Sequence, residues 1–311
     1  MNRESTMIGT LMRLMALALT ALGFAASTFA APAQQTFATP DEAVAALVAA
    51  VKADDAKALR LVLGYAGATL SSGDKVADRA ATQGFVADFD AKHSITHEGD
   101  TAKLVIGKED FPFAFPLVKK DDHWRFDTEA GIDELNARRI GENELSTIKA
   151  LQAIVDAQRE YAAEDVNGDG VAEYARKFIS SPGKRDGLYW PAKAGEKPSP
   201  LGQLAAGASA EGYGGGKKAG SRPFHGYYFR ALKGQAASAG STAYDYVVRG
   251  RAIGGFAVIA YPAKYGSSGI MTFIVNQDGK VFQADLGPST QAKASAIQRF
   301  DTGKGWSPVS P

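Results

Sequence analysis

Apolar side chains recur with the period of one continuous α-helix through residues 132–163 of the 311-residue chain. The apolar positions recur every three or four residues, which is the period of a helix that buries one face. These positions are Leu145, Ile148, Leu151, Ile154, Val155 and Tyr161. Gly141 interrupts the pattern upstream. A helix of this length needs a sheet or other helices to cover its stripe, so we expect it to form the spine of a domain.

Residues 31–131 predict a smaller α+β unit before that helix. Thr39 and Glu42 have the spacing of a capping box, and Pro40 occupies the first helical position. Further helical segments extend to residue 91, and extended segments with turn residues between them follow. Helices first and strands afterwards predict an N-terminal α+β domain that ends near residue 131.

Residues 132–311 predict a second α+β domain. A loop-rich region follows the long helix, and from residue 223 onward strand patterns dominate; they are HGYYFRAL, AYDYVVRG, GGFAVIAYPA and GIMTFIVNQDGKVFQADLG. The Asp278-Gly279 pair lies between alternating apolar residues, as in a β-hairpin turn. The expected architecture is one long helix across an antiparallel sheet.

The first 30 residues have the pattern of a secretory signal peptide. Arg3 and Arg13 precede an uncharged apolar stretch, and Thr28 and Ala30 suit cleavage before Ala31. The sequence therefore predicts export to the periplasm or to the extracellular space.

The composition excludes several classes of protein. The 35 basic and 34 acidic side chains nearly cancel, which disfavours nucleic acid as a partner. The chain has no cysteine, so it has no disulfide and no thiol nucleophile. No apolar stretch after the signal peptide approaches the length of about 20 residues that a membrane-spanning helix needs.

Residues 165–173 resemble the first part of an EF-hand calcium loop. The candidate ligands are Asp165, Asn167, Asp169, Val171 (through its carbonyl) and Glu173, with Gly170 at the sharp turn. Position 12 of the loop is Arg176 in place of the usual glutamate. The alternative interpretation is a turn that ends the long helix. No cofactor is required by either interpretation, and calcium is the one ion that the pattern suggests.

His225 is the main candidate for acid/base chemistry. It lies in a predicted strand, and Asp245, Arg251 and Tyr261 lie in neighbouring predicted strands. These residues suggest an envelope hydrolase that acts on peptide or glycan. The chain contains neither a G-x-S-x-G nor an H-E-x-x-H motif, so the sequence favours a non-enzymatic protein.

Tyrosines are concentrated in the predicted C-terminal sheet. The candidates for a ligand or partner surface are Tyr227, Tyr228, Tyr246 and Tyr261. Aromatic rings of this kind bind glycans or peptides when they are exposed. The alternative is a tyrosine-rich sheet whose rings only pack.

Several long segments resemble the bacterial secreted family catalogued as domain of unknown function 2950. They are RRIGENELSTIKALQAIVDAQREYAAEDVNGDGVAEYARKF, PFHGYYFRAL and YDYVVRGRAIGGFAVIAYPAKYGSSGIMTFIVNQDGKVFQADLGP. This resemblance implies no reaction and no catalytic residue. The C-terminal half is also similar to pilin and pseudopilin head domains, through Ala157, Gln158 and Tyr161, although here a whole domain precedes the helix. The order of elements in the N-terminal half is similar to cystatin-like folds.

These observations lead to a hypothesis of an exported two-domain protein that binds or scaffolds at the cell envelope. An envelope protein or a glycan is the expected partner. An envelope hydrolase and a calcium-stabilised structural module are the two alternatives.

Overall fold

The computed structural model describes residues 33–166, 170–193, 195–213, 222–237 and 242–309. The predicted signal peptide at 1–30 lies outside these residues, as do Asn167 and Asp169. The described helices are α1 (Pro40–Lys52), α2 (Ala56–Leu63), α3 (Lys75–Ala91), α4 (Thr128–Ala163), α5 (Gly202–Ala210) and α6 (Thr290–Ala296). None of them is long and apolar enough to cross a lipid bilayer.

The strands fall into two stretches of the chain. The first stretch contains β1 (His93–Glu98), β2 (Thr101–Ile106), β3 (Phe111–Pro112), β4 (Leu117–Lys120) and β5 (His123–Phe126). The second contains β6 (Tyr227–Ala231), β7 (Gly234–Gln235), β8 (Tyr244–Asp245), β9 (Ala257–Pro262), β10 (Met271–Asn276), β11 (Phe282–Asp285), β12 (Arg299–Phe300) and β13 (Ser307–Pro308). The predicted α+β class is therefore confirmed.

The N-terminal sheet packs on the first helices. Its strand order is β1-β2-β4-β5, with β3 paired to β2, and all of these pairs are antiparallel. Helix α1 begins where the sequence predicts, because Thr39 Oγ1 accepts a hydrogen bond from Glu42 N at 3.2 Å. Leu47 of α1 and Leu104 of β2 meet in a buried core on this sheet.

The C-terminal sheet has the order β13-β11-β10-β9-β6, so β6 lies at one edge. Its face towards α4 buries Leu151 and Ile154 against Val258 and Phe273. Its other face buries Ile259 and further apolar residues against α6 and the small β12-β7-β8 sheet. Both faces are covered, which decides how much of each strand is accessible.

Helix α4 begins earlier than the apolar stripe predicts. It starts at Thr128 instead of residue 132, because Asp127 accepts a hydrogen bond from Ala130 N at 3.2 Å and caps the first turn. Most of the predicted stripe packs on the sheet, but Leu145 is 62% exposed. Residues 32–311 form one compact unit, and the proposed domain boundary at residue 131 falls inside α4 and stays a prediction.

Three C-terminal elements differ from the sequence-based prediction. Helices α5 and α6 are short and have no clear apolar period, so the pattern does not predict them. The segment AYDYVVRG forms a strand only at Tyr244–Asp245. Val248 and Arg251 then pair across a tight turn, in which Arg249 has a φ of 50°. The predicted hairpin at Asp278-Gly279 is confirmed, because it joins the paired strands β10 and β11.

Candidate functional site

A groove of about 520 Å³ lies between strand β6 and the extended segment 176–179. The side chains that define its character are Arg176, Lys177, Ile179, Tyr228, Arg230 and Tyr261. None of the described residues that line the groove is acidic. The groove therefore combines aromatic and apolar walls with positive charge.

Two tyrosines form the aromatic wall. Tyr228 of β6 lies directly opposite Tyr261 of β9 in the antiparallel register, and their ring centroids are 5.7 Å apart. Side chains alternate between the faces of a strand, so Tyr228 lies on the face opposite Tyr227 and away from α4. Both rings of the wall are only partly buried. They are the two members of the predicted tyrosine surface that the structure brings together at an accessible position.

A network around Asp186 holds the opposite wall. Its carboxylate accepts hydrogen bonds from Lys177 Nζ and from Ser181 N, each at 2.7 Å. The bond from Lys177 and the backbone bond from Ser181 hold the pKa of Asp186 well below its usual range. Gly187 lies so close that an added Cβ would approach the carbonyl carbon of Ile179 to 2.8 Å. The hydrogen bonds of Asp186 and the close packing of Gly187 therefore hold the segment 176–179 in place.

The three cations of the groove differ in how their charge is used. Lys177 is engaged by Asp186. Arg230 donates from Nη2 to the carbonyls of Ala294 and Ile297, at 2.7 and 2.5 Å, at the C-terminus of α6. Within the described residues, Arg176 makes no hydrogen bond or ion pair, and its side chain is exposed. Arg176 is thus the cation that is available to a ligand.

Tyr227 and Tyr246 do not belong to an accessible surface, which corrects the expectation for these two residues. Tyr227 is fully buried, and its hydroxyl donates to the carbonyl of Met271 at 2.9 Å. Burial raises the pKa of Tyr227, and the nearby Glu144 carboxylate raises it further. Tyr246 is 2% exposed and packs in the core on the other face of the sheet. The packing interpretation holds for these two rings because both faces of the sheet are covered.

The structure places His225 beside Glu211. His225 Nε2 lies 3.0 Å from Glu211 Oε2, and the backbone of His225 has a φ of 46°. A carboxylate beside an imidazole fixes the orientation of the ring, which is one requirement of an acid/base pair. Asp245 instead forms an ion pair with Arg299 at 2.5 Å. Arg251 closes a turn through its backbone with Val248.

A buried carboxylate lies next to this pair. Asp74 Oδ2 accepts hydrogen bonds from Tyr213 Oη at 2.9 Å and from Gly226 N at 3.0 Å. Burial raises the pKa of Tyr213, and the charge of Asp74 and its hydrogen bond raise it further. Tyr213 therefore remains a donor at neutral pH. This contact joins the start of α3 to the chain around β6, so its role is to hold the two parts together.

In the described part of the predicted calcium loop, two of the candidate ligands accept backbone hydrogen bonds. Asp165 Oδ2 accepts a hydrogen bond from Gly170 N at 2.6 Å, and Glu173 Oε2 accepts one from Ala252 N at 3.3 Å. Val171 is exposed. Within the described residues there is no group of three or more acidic or histidine side chains suited to a metal ion. Calcium binding stays a prediction, because Asn167 and Asp169 lie outside those residues.

Sequence reasoning missed the groove itself. The sequence marks Arg176 only as the twelfth position of a calcium loop, and the glycine- and proline-rich region after it predicts surface loops. The strand pattern HGYYFRAL correctly predicts β6, but His225 and Gly226 form a turn, and the strand begins only at Tyr227. No local signal states that β6 ends a sheet, because strand order is set by long-range pairing.

The fold and the groove define an α+β protein with an open, positively charged sheet edge. The chain belongs to the family described as "Protein of unknown function (DUF2950)", whose model matches residues 34–309. No curated protein and no solved structure matches the chain. The similarities to pilin heads and to cystatin-like folds therefore stay predictions.

Proposed function

We propose that this protein is a non-enzymatic binding protein of the cell envelope and that the groove beside β6 is its binding site. The observation that carries the proposal is the pairing of an aromatic wall, Tyr228 with Tyr261, and an available cation, Arg176, in one groove. Aromatic residues and arginine are the side chains that dominate binding energy at interfaces. The groove volume of about 520 Å³ lies in the range of ligand sites.

The signal-peptide pattern supports the location that we propose. The signal-peptide pattern at 1–30 predicts a location outside the cytoplasm, and the periplasm or the extracellular space is where the ligand is expected. A peptide segment of an envelope protein and a glycan are the two ligand classes that such a groove suits.

Substitutions in the groove are expected to weaken binding without unfolding the protein. Residues 31–311 would be tested on an array that carries envelope glycans and extended peptides of acidic, neutral and basic composition. For the best probe, we expect Tyr228→Ala and Arg176→Glu each to weaken binding by about tenfold or more, which is about 1.4 kcal/mol.

Matched controls lie outside the groove, at Tyr65 in a short 3-10 helix (Tyr65–Thr69) and at Lys120 in the N-terminal sheet. Tyr65 is 72% exposed, so Tyr65→Ala removes an accessible ring outside the groove. Lys120→Glu reverses an exposed charge on β4. Both controls are expected to bind the probe like the wild type. The proposal is wrong if no probe binds, or if the controls weaken binding as much as the groove variants do.

The calcium alternative has a direct thermal test. We expect the melting temperature to be the same in EDTA and in millimolar calcium, because Asp165 and Glu173 accept backbone hydrogen bonds and Arg176 occupies position 12. A ligand that binds only the native state raises the melting temperature by mass action. A rise in calcium that disappears in an Asp165→Ala, Asp169→Ala double variant would instead establish a calcium-stabilised module.

A further inference from the structure

We infer that the ligand of the groove is an extended acidic polypeptide segment that adds to the C-terminal sheet as a new strand beside β6. This inference rests on the proposed function, since it specifies the ligand of the same groove. It rests on the unpaired backbone groups of the edge strand β6 and on the positive charge of the opposite wall.

The hydrogen bonds between β6 and β9 show which backbone groups face outward. Leu232 N donates to the carbonyl of Ala257 at 2.8 Å, and Ala263 N donates to the carbonyl of Gly226 at 2.8 Å. In an antiparallel pair the hydrogen-bonded positions alternate. The even-numbered residues of β6 therefore bond to β9, and the odd-numbered residues direct their N–H and C=O groups to the free edge.

Two of the three outward-facing residues have unpaired backbone groups. The outward groups of Tyr227 are used, because Tyr227 N donates to the Phe224 carbonyl and Phe224 N donates to the Tyr227 carbonyl. The backbone groups of Phe229 and Ala231 have no hydrogen-bond partner within the described residues. Both residues line the groove. An unpaired sheet edge of this kind is a template for an added strand.

The length of the free edge sets the length of the ligand. Phe229 and Ala231 are two residues apart, about 6.6 Å along a strand. A segment of about three or four extended residues spans that distance and can exchange hydrogen bonds with both. Side chains of the added strand alternate in direction, so every second one lies on the face that carries Tyr228 and Tyr261.

The charge of the groove selects the side chains of the segment. Arg176 is exposed and without an ion-pair partner among the described residues, and no acidic residue described there competes for it. A carboxylate on the ligand can accept two parallel hydrogen bonds from a guanidinium. Ile179 is 47% exposed and offers apolar contact on the same wall. A segment that alternates acidic and β-branched or aromatic residues fits both features.

The test uses an immobilised library of heptapeptides in which aspartate or glutamate alternates with valine, isoleucine, threonine or tyrosine. We expect residues 31–311 to bind members of this library and to bind their lysine-substituted counterparts at least about tenfold more weakly. Methylation of alternate backbone nitrogens in the best peptide removes the donors that a strand needs. On the wild-type protein this change is expected to abolish binding.

A pair of variants at one position isolates the backbone contribution. Ala231 is exposed and its N–H faces the groove, so Ala231→Pro removes an outward donor and leaves the bonds to β9 in place. Ala231→Thr keeps the donor. We expect at least about a tenfold loss of peptide binding for the proline variant and less than about a threefold loss for threonine. Thermal melting checks that both variants are folded.

The outcomes separate this inference from the proposed function. If no acidic peptide binds, or if the methylated peptide binds as well as its parent, the inference of strand addition is wrong. In that case, glycan binding that depends on Tyr228 and Arg176 would leave the proposed function standing. If no probe of any class responds to the groove variants, both are wrong.

Discussion

Replacement of Asp74 by alanine is expected to lower the free energy of unfolding by about 3 to 7 kcal/mol. The side chain is 1% exposed and caps α3, because Oδ1 accepts hydrogen bonds from Val76 N and Ala77 N at 3.0 and 3.2 Å. Its other oxygen accepts from Tyr213 and Gly226. Alanine removes the cap, at about 1 kcal/mol, and leaves two further donors unpaired, at about 1 to 3 kcal/mol each.

Asp55 supplies the matched control for this prediction. It caps α2 in the same way, with Oδ1 accepting from Lys57 N at 2.9 Å and from Ala58 N at 3.0 Å, but it is exposed and has no long-range partner among the described residues. Asp55→Ala is expected to cost only about 1 kcal/mol. Urea unfolding of both variants gives the comparison. Equal costs would show that the bonds of Asp74 to Tyr213 and Gly226 add nothing to stability.

Gly131→Ala is expected to destabilise the protein by about 3 kcal/mol or more. An added Cβ at this position of α4 would lie 2.1 Å from the ring of Phe115, which is 3% exposed. The ring is enclosed by the N-terminal core, so it cannot move aside without disturbing its neighbours. The change in the midpoint of urea unfolding measures this cost.

Gly141 lies in the same helix and gives the opposite expectation. Apart from the adjacent residues and the nearby backbone of α4 itself, no described atom lies within 4 Å of a Cβ added there. Alanine is favoured over glycine in a helix interior by about 1 kcal/mol, so Gly141→Ala is expected to stabilise the protein by up to that amount. Two glycine-to-alanine changes in one helix should therefore shift the unfolding midpoint in opposite directions. Shifts of the same sign would contradict the packing of Phe115 against α4.

Local signals in the sequence predicted the elements that local interactions determine. Thr39 and Glu42 predicted the start of α1 because a cap involves residues three positions apart. Asp278 and Gly279 predicted the hairpin of β10 and β11, and Gly279 has a φ of 79° as that turn requires. The apolar stripe predicts a start of α4 at residue 132, four residues too late, because the cap at Asp127 is a polar signal that lies outside the stripe.

Features that depend on long-range contacts could not be predicted from local patterns in the sequence. The tyrosine-rich strands suggested an accessible surface, but α4 covers one face of the sheet and α6 with the small sheet covers the other, so Tyr227 and Tyr246 are buried. Only the edge position of β6 leaves Tyr228 accessible beside the groove. The pattern also predicts a strand at His225, but this residue lies in a turn. Its carboxylate partner, Glu211, comes from a loop-rich region that has neither a helical nor a strand period.

Amide hydrogen exchange in the edge strand β6 tests the proposed strand addition most directly. Residues 31–311 would be compared with and without a saturating amount of the best acidic heptapeptide. The amide of Glu129 in the first turn of α4, which lies outside the groove, serves as the reference. Strand addition predicts that exchange at Phe229 and Ala231 slows by at least about tenfold while Glu129 is unchanged. Unchanged exchange at Phe229 and Ala231 under saturation would contradict the account.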